Sequence, residues 1–391
     1  MSIVRLGEVC DFQGGSQPPK SEHIYEKKEG YVRFVQIRDF ESDNYKTYVP
    51  ISKRNKLCER EDILIARYGA SVGKILNGLE GAYNVALIKT IPDTKRLNKR
   101  YLYYYLNTKT IQTFIQVRAK RSAQEGIDPK ELKKQFIYLP SLEEQKKIVT
   151  VLDKAQALIE KKKEVIVKLD ELVQSVFLSM FGDPIKNEKG WEQTSLSNIG
   201  EITGGLQVTP KRSIHPIEVP YLRVANVFRD FLNLSEIKFI KVTQKEFERT
   251  KLATGDILIV EGHGNQNEIG RSAVWDGSIQ MCVHQNHLIK FRANKKLVNS
   301  VFVSAVLNSS SGRRQLLRYS NTTSGLNTIS TSTVKKVVVY LPPLELQNEF
   351  EFIIAKVKAE KKQMEQSLSR MGNNFQSILQ RAFIGELLIN K

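Results

Sequence analysis

Residues 138–145 read Tyr-Leu-Pro-Ser-Leu-Glu-Glu-Gln, and residues 340–347 read Tyr-Leu-Pro-Pro-Leu-Glu-Leu-Gln. The same offset of 202 pairs Lys133 and Lys134 with Lys335 and Lys336, Gln174 and Ser175 with Gln376 and Ser377, and Phe181 with Phe383. The chain is therefore a tandem repeat, and each copy of the motif opens a long helix. Ser141 followed by Glu144 is a capping box, in which side chain and backbone satisfy each other's donors. Pro343 replaces the serine in the second copy. Apolar residues then recur at steps of four and three through Ile148, Leu152, Ala155, Ile159, Ile166, Leu169, Val173 and Val176, interrupted by Lys162, until Gly182 and Pro184 end the helix. The second stripe runs through Phe350, Ile354, Val357, Met364, Leu368, Met371, Phe375 and Ile378, interrupted by Lys361. Two equal heptad stripes in one chain predict an intramolecular coiled coil. Each globular segment joins its helix in the same way, and a parallel pair would force both into one space. The predicted pairing is therefore antiparallel, with pseudo-twofold symmetry.

Around these helices lie two globular segments, residues 1–140 and 183–343. In the first, Tyr31–Ile37, Asp62–Ala66 and Ala86–Ile88 read as short strands. Tyr101–Leu106 reads as an aromatic-rich helix, and Ile111–Val117 either continues it or forms a second. The fold class is α/β (α+β). The second segment repeats this order at a drifting offset. Leu6, Gly14, Gly15, Tyr31 and Arg33 meet Leu196, Gly204, Gly205, Tyr221 and Arg223 at 190, and Asp39 and Phe40 meet Asp230 and Phe231 at 191. Asp62–Ile65 meets Asp256–Ile259 at 194, Gly73 meets Gly270 at 197, and Leu87 meets Leu288 at 201. An offset that only grows implies one frame with longer loops in the second copy. The predicted domains are 1–140, the helix 141–182, 183–343, and the helix 344–391.

Length and composition fit a two-core globular protein: 391 residues, 41% hydrophobic and 26% charged. No apolar run approaches a membrane span and no signal-type stretch is present, so a cytoplasmic location is expected. Cys10, Cys58 and Cys282 offer neither a disulfide set nor metal spacing. A net charge of +18 suits a polyanionic partner.

Two α/β segments that begin at Leu6-Gly7-Glu8 and Leu196-Ser-Asn-Ile-Gly-Glu201, contain the Asp62–Ile65 and Gly255–Ile259 strands, and close on Leu-Pro-x-Leu-Glu-x-Gln resemble the specificity subunit of a Type I restriction-modification system. The resemblance covers essentially the whole chain. It implies two tandem target recognition domains, each reading one half of a bipartite site in double-stranded DNA. It also implies a helix pair that sets the spacer and docks two methyltransferase subunits, with motor and nuclease subunits joining through the complex. Ile148, Leu152, Ile159, Ile166, Leu169, Val173, Phe350, Ile354, Met364, Leu368 and Phe375 would form the coiled coil and docking face. Phe177, Phe181, Phe375 and Phe383 at the helix ends would stay exposed for the partners.

Enzyme motifs are not found. Gly69–Lys74 imitates a phosphate loop, but three residues rather than four separate its glycines, and Ile75 stands where a hydroxyl must hold magnesium. Gln17-Pro-Pro-Lys20 and Leu341-Pro-Pro-Leu344 lack the polar and aromatic ends of an adenine-methyltransferase tetrad. No cofactor is expected. Cys282, His284 and His287, with His263 upstream, match no zinc spacing, and no metal is expected.

Direct readout needs Arg for guanine and Asn or Gln for adenine, held where they enter a groove. Such residues cluster at four places in each copy. After the glycine turn stand Gln13, Gln17 and Lys20 against Gln207, Lys211 and Arg212. On the next strand Arg33, Gln36 and Arg38 face Arg223, Asn226 and Arg229. After Asp-Ile-Leu-Ile come Arg67, Tyr68, Ser71 and Lys74 against His263, Asn265, Gln266, Asn267 and Arg271. Before the closing motif come Arg118, Lys120, Arg121, Ser122 and Gln124 against Arg313, Arg314, Arg318, Asn321, Thr322 and Ser324. These groups differ between copies while the apolar frame persists. A rod of about 55 Å implies a footprint on the order of 15 base pairs with an unread middle. A coiled-coil interaction protein without a nucleic-acid role is the alternative. It predicts no salt-sensitive DNA binding and leaves the duplication unexplained. A self-contained restriction or methylation enzyme would need several hundred further residues.

Overall fold

The structure is a computed structural model that describes residues 2–121, 126–184, 186–318, 321–323 and 326–386. It divides into two compact units, residues 1–164 with 364–391 and residues 165–363.

In the first unit, a four-stranded antiparallel sheet runs in the order Cys10–Gly14, Leu87–Pro92, Leu64–Ala66 and Ile75–Leu76. Ile63, Leu64, Ile65 and Ala66 are all buried, as a strand covered on both faces must be. A second sheet, Tyr48–Pro50, Tyr31–Val35, Gly81–Tyr83 and Leu57–Cys58, contains one parallel pair. Lys99–Leu106 and Lys109–Arg121 are separate helices, the first capped by Asn98. Ser2–Arg5 pairs with Phe136–Leu139 and so ties the N-terminal strand to the start of the motif.

The second unit repeats both sheets, as Gly200–Gly204, Leu288–Ala293, Ile257–Val260 and Ser272–Val274, then Lys238–Val242, Ile217–Leu222 and Val283–His284. Its additions include the hairpin Val227–Phe228 with Phe231–Leu232 and the helix Gln244–Thr250.

One expected register is wrong. Val35 pairs with Tyr83, and Leu222 pairs with His284. Asn84 N–H donates to Val35 and Gln285 N–H to Leu222. Here the offset is 187, so Gln36 corresponds to Arg223 and Asp39 to Asn226, and Arg33 does not correspond to Arg223. The backbone N–H of Gln36 donates to the Asp39 carboxylate at 2.7 Å, and that of Arg223 to the Asn226 amide oxygen at 3.0 Å. The offset therefore falls before it climbs, because the loop after the glycine turn is longer in the first copy. A Tyr-x-Arg identity disguised this.

The helices Leu142–Phe181 and Leu344–Phe383 each hold 40 residues, about 60 Å of rise. Ser141 and Glu144 exchange backbone donors at 3.0 and 3.3 Å, as the capping box predicts. In the first unit Ile148, Leu152 and Ile159 share a core with Phe375, Leu379 and Ala382. In the second, Phe177 and Phe181 share one with Phe350 and Ile354. Both pairings are antiparallel. Ile166, Leu169, Val173, Met364 and Leu368 are half-buried. The expectation that the terminal phenylalanines stay exposed is corrected: Phe177, Phe181 and Phe375 are buried. Phe383 packs on Tyr101 and Tyr105, with ring centroids 4.6 and 5.6 Å away. Covering these rings with the unit's own aromatics removes apolar area from water.

Candidate nucleic-acid interface

Loops can present side chains reproducibly only on a fixed frame, and three devices at matching positions fix it in both units. The glutamine that ends each Leu-Pro-x-Leu-Glu-x-Gln motif is fully buried. Gln145 accepts from Asn98 N–H at 2.8 Å and donates to the Arg96 and Pro140 carbonyls. Gln347 accepts from Asn299 N–H at 2.9 Å and donates to Pro342. Each glutamine thus bolts a long helix to the helix capped by that asparagine. The aspartate of each Asp-Ile-Leu-Ile strand caps a turn, Asp62 at Glu59 N–H and Asp256 at Ala253 N–H. Asp62 also binds Lys89 and Lys99, whereas Asp256 binds Arg292 at two points.

The third device concerns glycine. Gly73 and Gly270 have φ of +84° and +71°, and a Cβ there would lie 2.8 Å from Ile115 and 2.5 Å from Leu316. These glycines close the loop after the strand and let it press against the following helix. The resemblance of Gly69–Lys74 to a phosphate loop has this origin, and Lys74 itself is paired with Glu41 at 2.8 Å.

On the first frame, several candidates are engaged within the fold. The Gln13 side chain accepts from the Tyr83 hydroxyl at 3.1 Å, and Gln17 accepts from Asn84 at 2.8 Å. Arg33 pairs with Asp43, and Gln36 caps a short turn. Arg38 is exposed over the Tyr45 ring, and Arg118 lies 3.6 Å from Glu131. Arg67 donates to the Ile127 carbonyl at 3.3 Å and lies 4.9 Å from the Tyr68 ring centre. Lys20 and Lys120 are exposed and, among the described residues, engaged by no other side chain, and Ser71 lies in the loop's short turn. Gln124 lies outside the described residues, as do Ser122 and the side chain of Arg121.

On the second frame, Asn226 is buried, its amide donating to the Asn233 and Glu236 carbonyls. Arg212 forks onto Glu246 with two 3.0 Å bonds, which hold that carboxyl down to about 2. Arg223 pairs with Glu236. Arg271 is buried, bound to Glu268 and the Val224 carbonyl, and lies over Phe228. These four hold the frame together.

The loop 261–269 is three residues longer than its counterpart 67–72, and both close on the same backbone pairs, Gly73 N–H to Ala66 and Gly270 N–H to Val260. Arg229 and Arg313 both donate to the carbonyl of Asn267 at its centre. Burial and the neighbouring Arg313 guanidinium hold Arg229 below the usual guanidinium range. Asn265 N–H donates to His263 Nδ1 at 3.0 Å, which leaves Nε2–H as that ring's donor, unengaged among the described residues. The Asn265 side chain accepts from Asn267 N–H, while Gln266 and Gly264 are exposed. Gln207, Lys211 and Arg314 are exposed too, and Arg318 ends its helix with a partner. Ser324 lies outside the described residues, with the side chains of Asn321 and Thr322.

Two residues escaped the sequence reading. Gln145 was visible as half of the repeated motif, but its role is tertiary. Glu261 was visible too, because the offset of 194 sets it opposite Arg67. It is half-buried, and burial raises its carboxyl above the ordinary range.

Of the cysteine–histidine group, Cys282 and His284 are buried in the core. His284 is buried with its ring nitrogens 3.1 and 3.3 Å from the Thr250 and Thr203 carbonyls. Desolvation, then Lys290, push it down to about 4. Burial pushes the Cys282 thiol up to about 12. Among the described residues no cluster of metal-ligating side chains occurs, and no helix is long and apolar enough to cross a membrane.

Similarity to known proteins agrees with the duplication. The chain is 25% identical to the Type I restriction enzyme EcoKI specificity subunit of Escherichia coli K12, over 98% of this chain and 89% of that one. It is 24% identical to the StySPI specificity subunit of Salmonella potsdam, over 94% and 85%. Among solved structures, a chain from a type I R-M system assembly matches with a TM-score of 0.60 at 19% identity, covering 99% of this chain and 98% of that one. The S subunit from M. genitalium matches at 0.52 and 15%, covering 98% and 96%. The Type I restriction modification DNA specificity domain matches twice, at residues 1–170 and 188–368, and the chain belongs to that family.

Proposed function

We infer that the chain is the DNA-binding specificity subunit of a Type I restriction-modification complex and is itself non-catalytic. The observation that carries this is the duplicated frame, held by equivalent contacts at matching residues, whose polar loops differ. One frame with two loop sets suits two different half-sites. Residues 1–140 would read one half of a bipartite double-stranded site and residues 183–343 the other.

Lys20, Lys120, Lys211 and Arg314, exposed and engaged by no other side chain among the described residues, suit phosphate contacts that fix register without reading bases. Arg67, His263 Nε2–H and Gln266 suit base edges, since each presents donors that the described residues leave free or only partly engaged. The central helix exposes Leu158, Val167, Leu172 and Leu178, and the C-terminal helix exposes Phe352. These side chains suit docking of methyltransferase subunits, which supply the chemistry, and motor and nuclease subunits would join through them. The helix pair would set the spacer.

Co-expression with the methyltransferase subunits, followed by genome-wide detection of methylated adenine, tests the reading. One bipartite motif with an unread spacer, lost when this chain is deleted, is expected. No motif from an active, assembled complex overturns it. Insertion of one heptad into residues 148–176, matched in 350–378, should alter the preferred spacer, and an unaltered spacer rejects the ruler.

A further inference from the structure

We propose that Glu261 is a base-reading residue of the second recognition domain, accepting from the exocyclic amino group of cytosine at the position where Arg67 serves the first domain. This rests on the DNA-specificity reading above and assigns one element of it.

The two residues stand at one point of one frame. Arg67 N–H donates to the Ala86 carbonyl at 2.8 Å, and Glu261 N–H donates to His287 at 2.9 Å. The Arg67 carbonyl accepts from Ile127 N–H at 3.1 Å, and the Glu261 carbonyl from Ile329 N–H at 2.8 Å. The next residues, Tyr68 and Gly262, bridge antiparallel to Gly126 and Thr328. Every backbone partner thus matches, while the side chain reverses its charge.

The surroundings of Glu261 do not explain a carboxylate. It is half-buried, and among the described residues neither a hydrogen bond to its carboxylate nor an ion pair forms. In a chain of net charge +18 a cation would be easy to supply. A partly desolvated carboxylate without a donor is costly in the free protein, and the cost is recovered only when a donor arrives. In the major groove, amino groups are such donors, and a carboxylate pairs with the cytosine amino group. The same charge repels phosphate and the acceptor edge of guanine, so it discriminates by rejection as well as by attraction. Arg67 has the opposite preference, and its guanidinium keeps donors beyond the one given to Ile127.

The test uses the complete complex with its methyltransferase subunits, bound to duplexes carrying its site or each single base-pair change in either half. Wild-type complex that prefers no sequence overturns the specificity reading, and this assignment with it. Given a wild-type preference, Glu261→Gln should lose discrimination at one base pair of one half-site by about tenfold, with all other positions unchanged. Glu261→Arg should move the preference at that pair toward guanine on the same strand. An unaltered profile in both variants overturns the proposal. So does a uniform fall in affinity across all duplexes, which would mark a structural role.

Discussion

Gln145 and Gln347 perform the same task in the two units, whereas Tyr83 and His284, at one and the same strand position, do not. Tyr83 donates its hydroxyl to the Gln13 carbonyl. His284 directs one ring nitrogen at the equivalent Thr203 carbonyl and the other at Thr250. The contrast separates what the frame requires from what each copy can change. A helix must be bolted to its domain wherever the domain sits, so the bolt is invariant. A strand interior needs only a polar group that reaches one carbonyl, and phenol and imidazole both do. Loops need still less, and there arginine and glutamate exchange.

Breaking the bolt should have the largest effect. Gln145→Ala strands Asn98 N–H and two carbonyls in a buried site, at about 3 to 5 kcal/mol. Gln347→Ala strands one donor and one carbonyl, with roughly two-thirds of that loss. Hydrogen exchange should show each loss confined to its own unit, with Asn98 or Asn299 opening. Equal, modest effects in both variants would mean that the glutamines only fill space.

His284 offers the next largest effect, and one confined to acid. The unfolded chain takes up this proton near pH 6.5, while the folded ring takes it only near pH 4, because burial disfavours the charge. Stability is therefore fully present above pH 6.5 and is lost as pH falls toward 4, by about 3 kcal/mol. Trp191 and Trp275 both belong to the second unit, so tryptophan fluorescence reads it alone. His284→Tyr, the first copy's residue, should flatten this dependence between pH 4 and 6.5. A denaturation midpoint that still drops with the same slope would put the acid sensitivity elsewhere.

A smaller effect belongs to the loop-closing glycines. Gly270→Ala forces a left-handed φ of +71° on a residue whose Cβ meets Leu316, and Gly73→Ala does the same against Ile115. Each should cost about 1 to 3 kcal/mol, with Gly270 the worse because its contact is closer. The readout is the urea midpoint of each unit, and a neutral Gly270→Ala would mean that the helix yields freely.

The frame was legible because its signals are local. Heptad spacing, the Ser141–Glu144 box and the buried Asp-Ile-Leu-Ile strand depend on near neighbours, and each forms where expected. The offset of 187 was not legible, since only pairing with Val283–His284 reveals it, and a misleading Tyr-x-Arg match stood nearby. Candidate readers suffered most. Residue type showed that Asn226 and Arg212 could read bases, but nothing local showed that Asn233 and Glu246 already engage them. Glu261 was overlooked for the opposite reason, because a carboxylate is not among the common readers of guanine and adenine.

The finest distinction between the copies lies in the polar interruptions of the two heptad stripes. In the first unit Lys162 donates to the Ser367 hydroxyl at 2.6 Å. In the second unit Lys361 reaches both oxygens of Asp170, at 2.5 and 2.8 Å. Lys162→Leu removes only a bond to a neutral group and adds apolar area to the helix pair, so it should stabilise by about 0.5 to 1 kcal/mol. Lys361→Leu makes the same gain but loses an ion pair whose aspartate is 60% exposed, and such pairs contribute about 0 to 1 kcal/mol. Its net effect should lie near zero in low salt and turn stabilising in about 1 M salt, where the pair is screened. Lys162→Leu should show no such salt dependence. If both variants responded to salt alike, the two interruptions would be equivalent, and the asymmetry between the units would end at their loops.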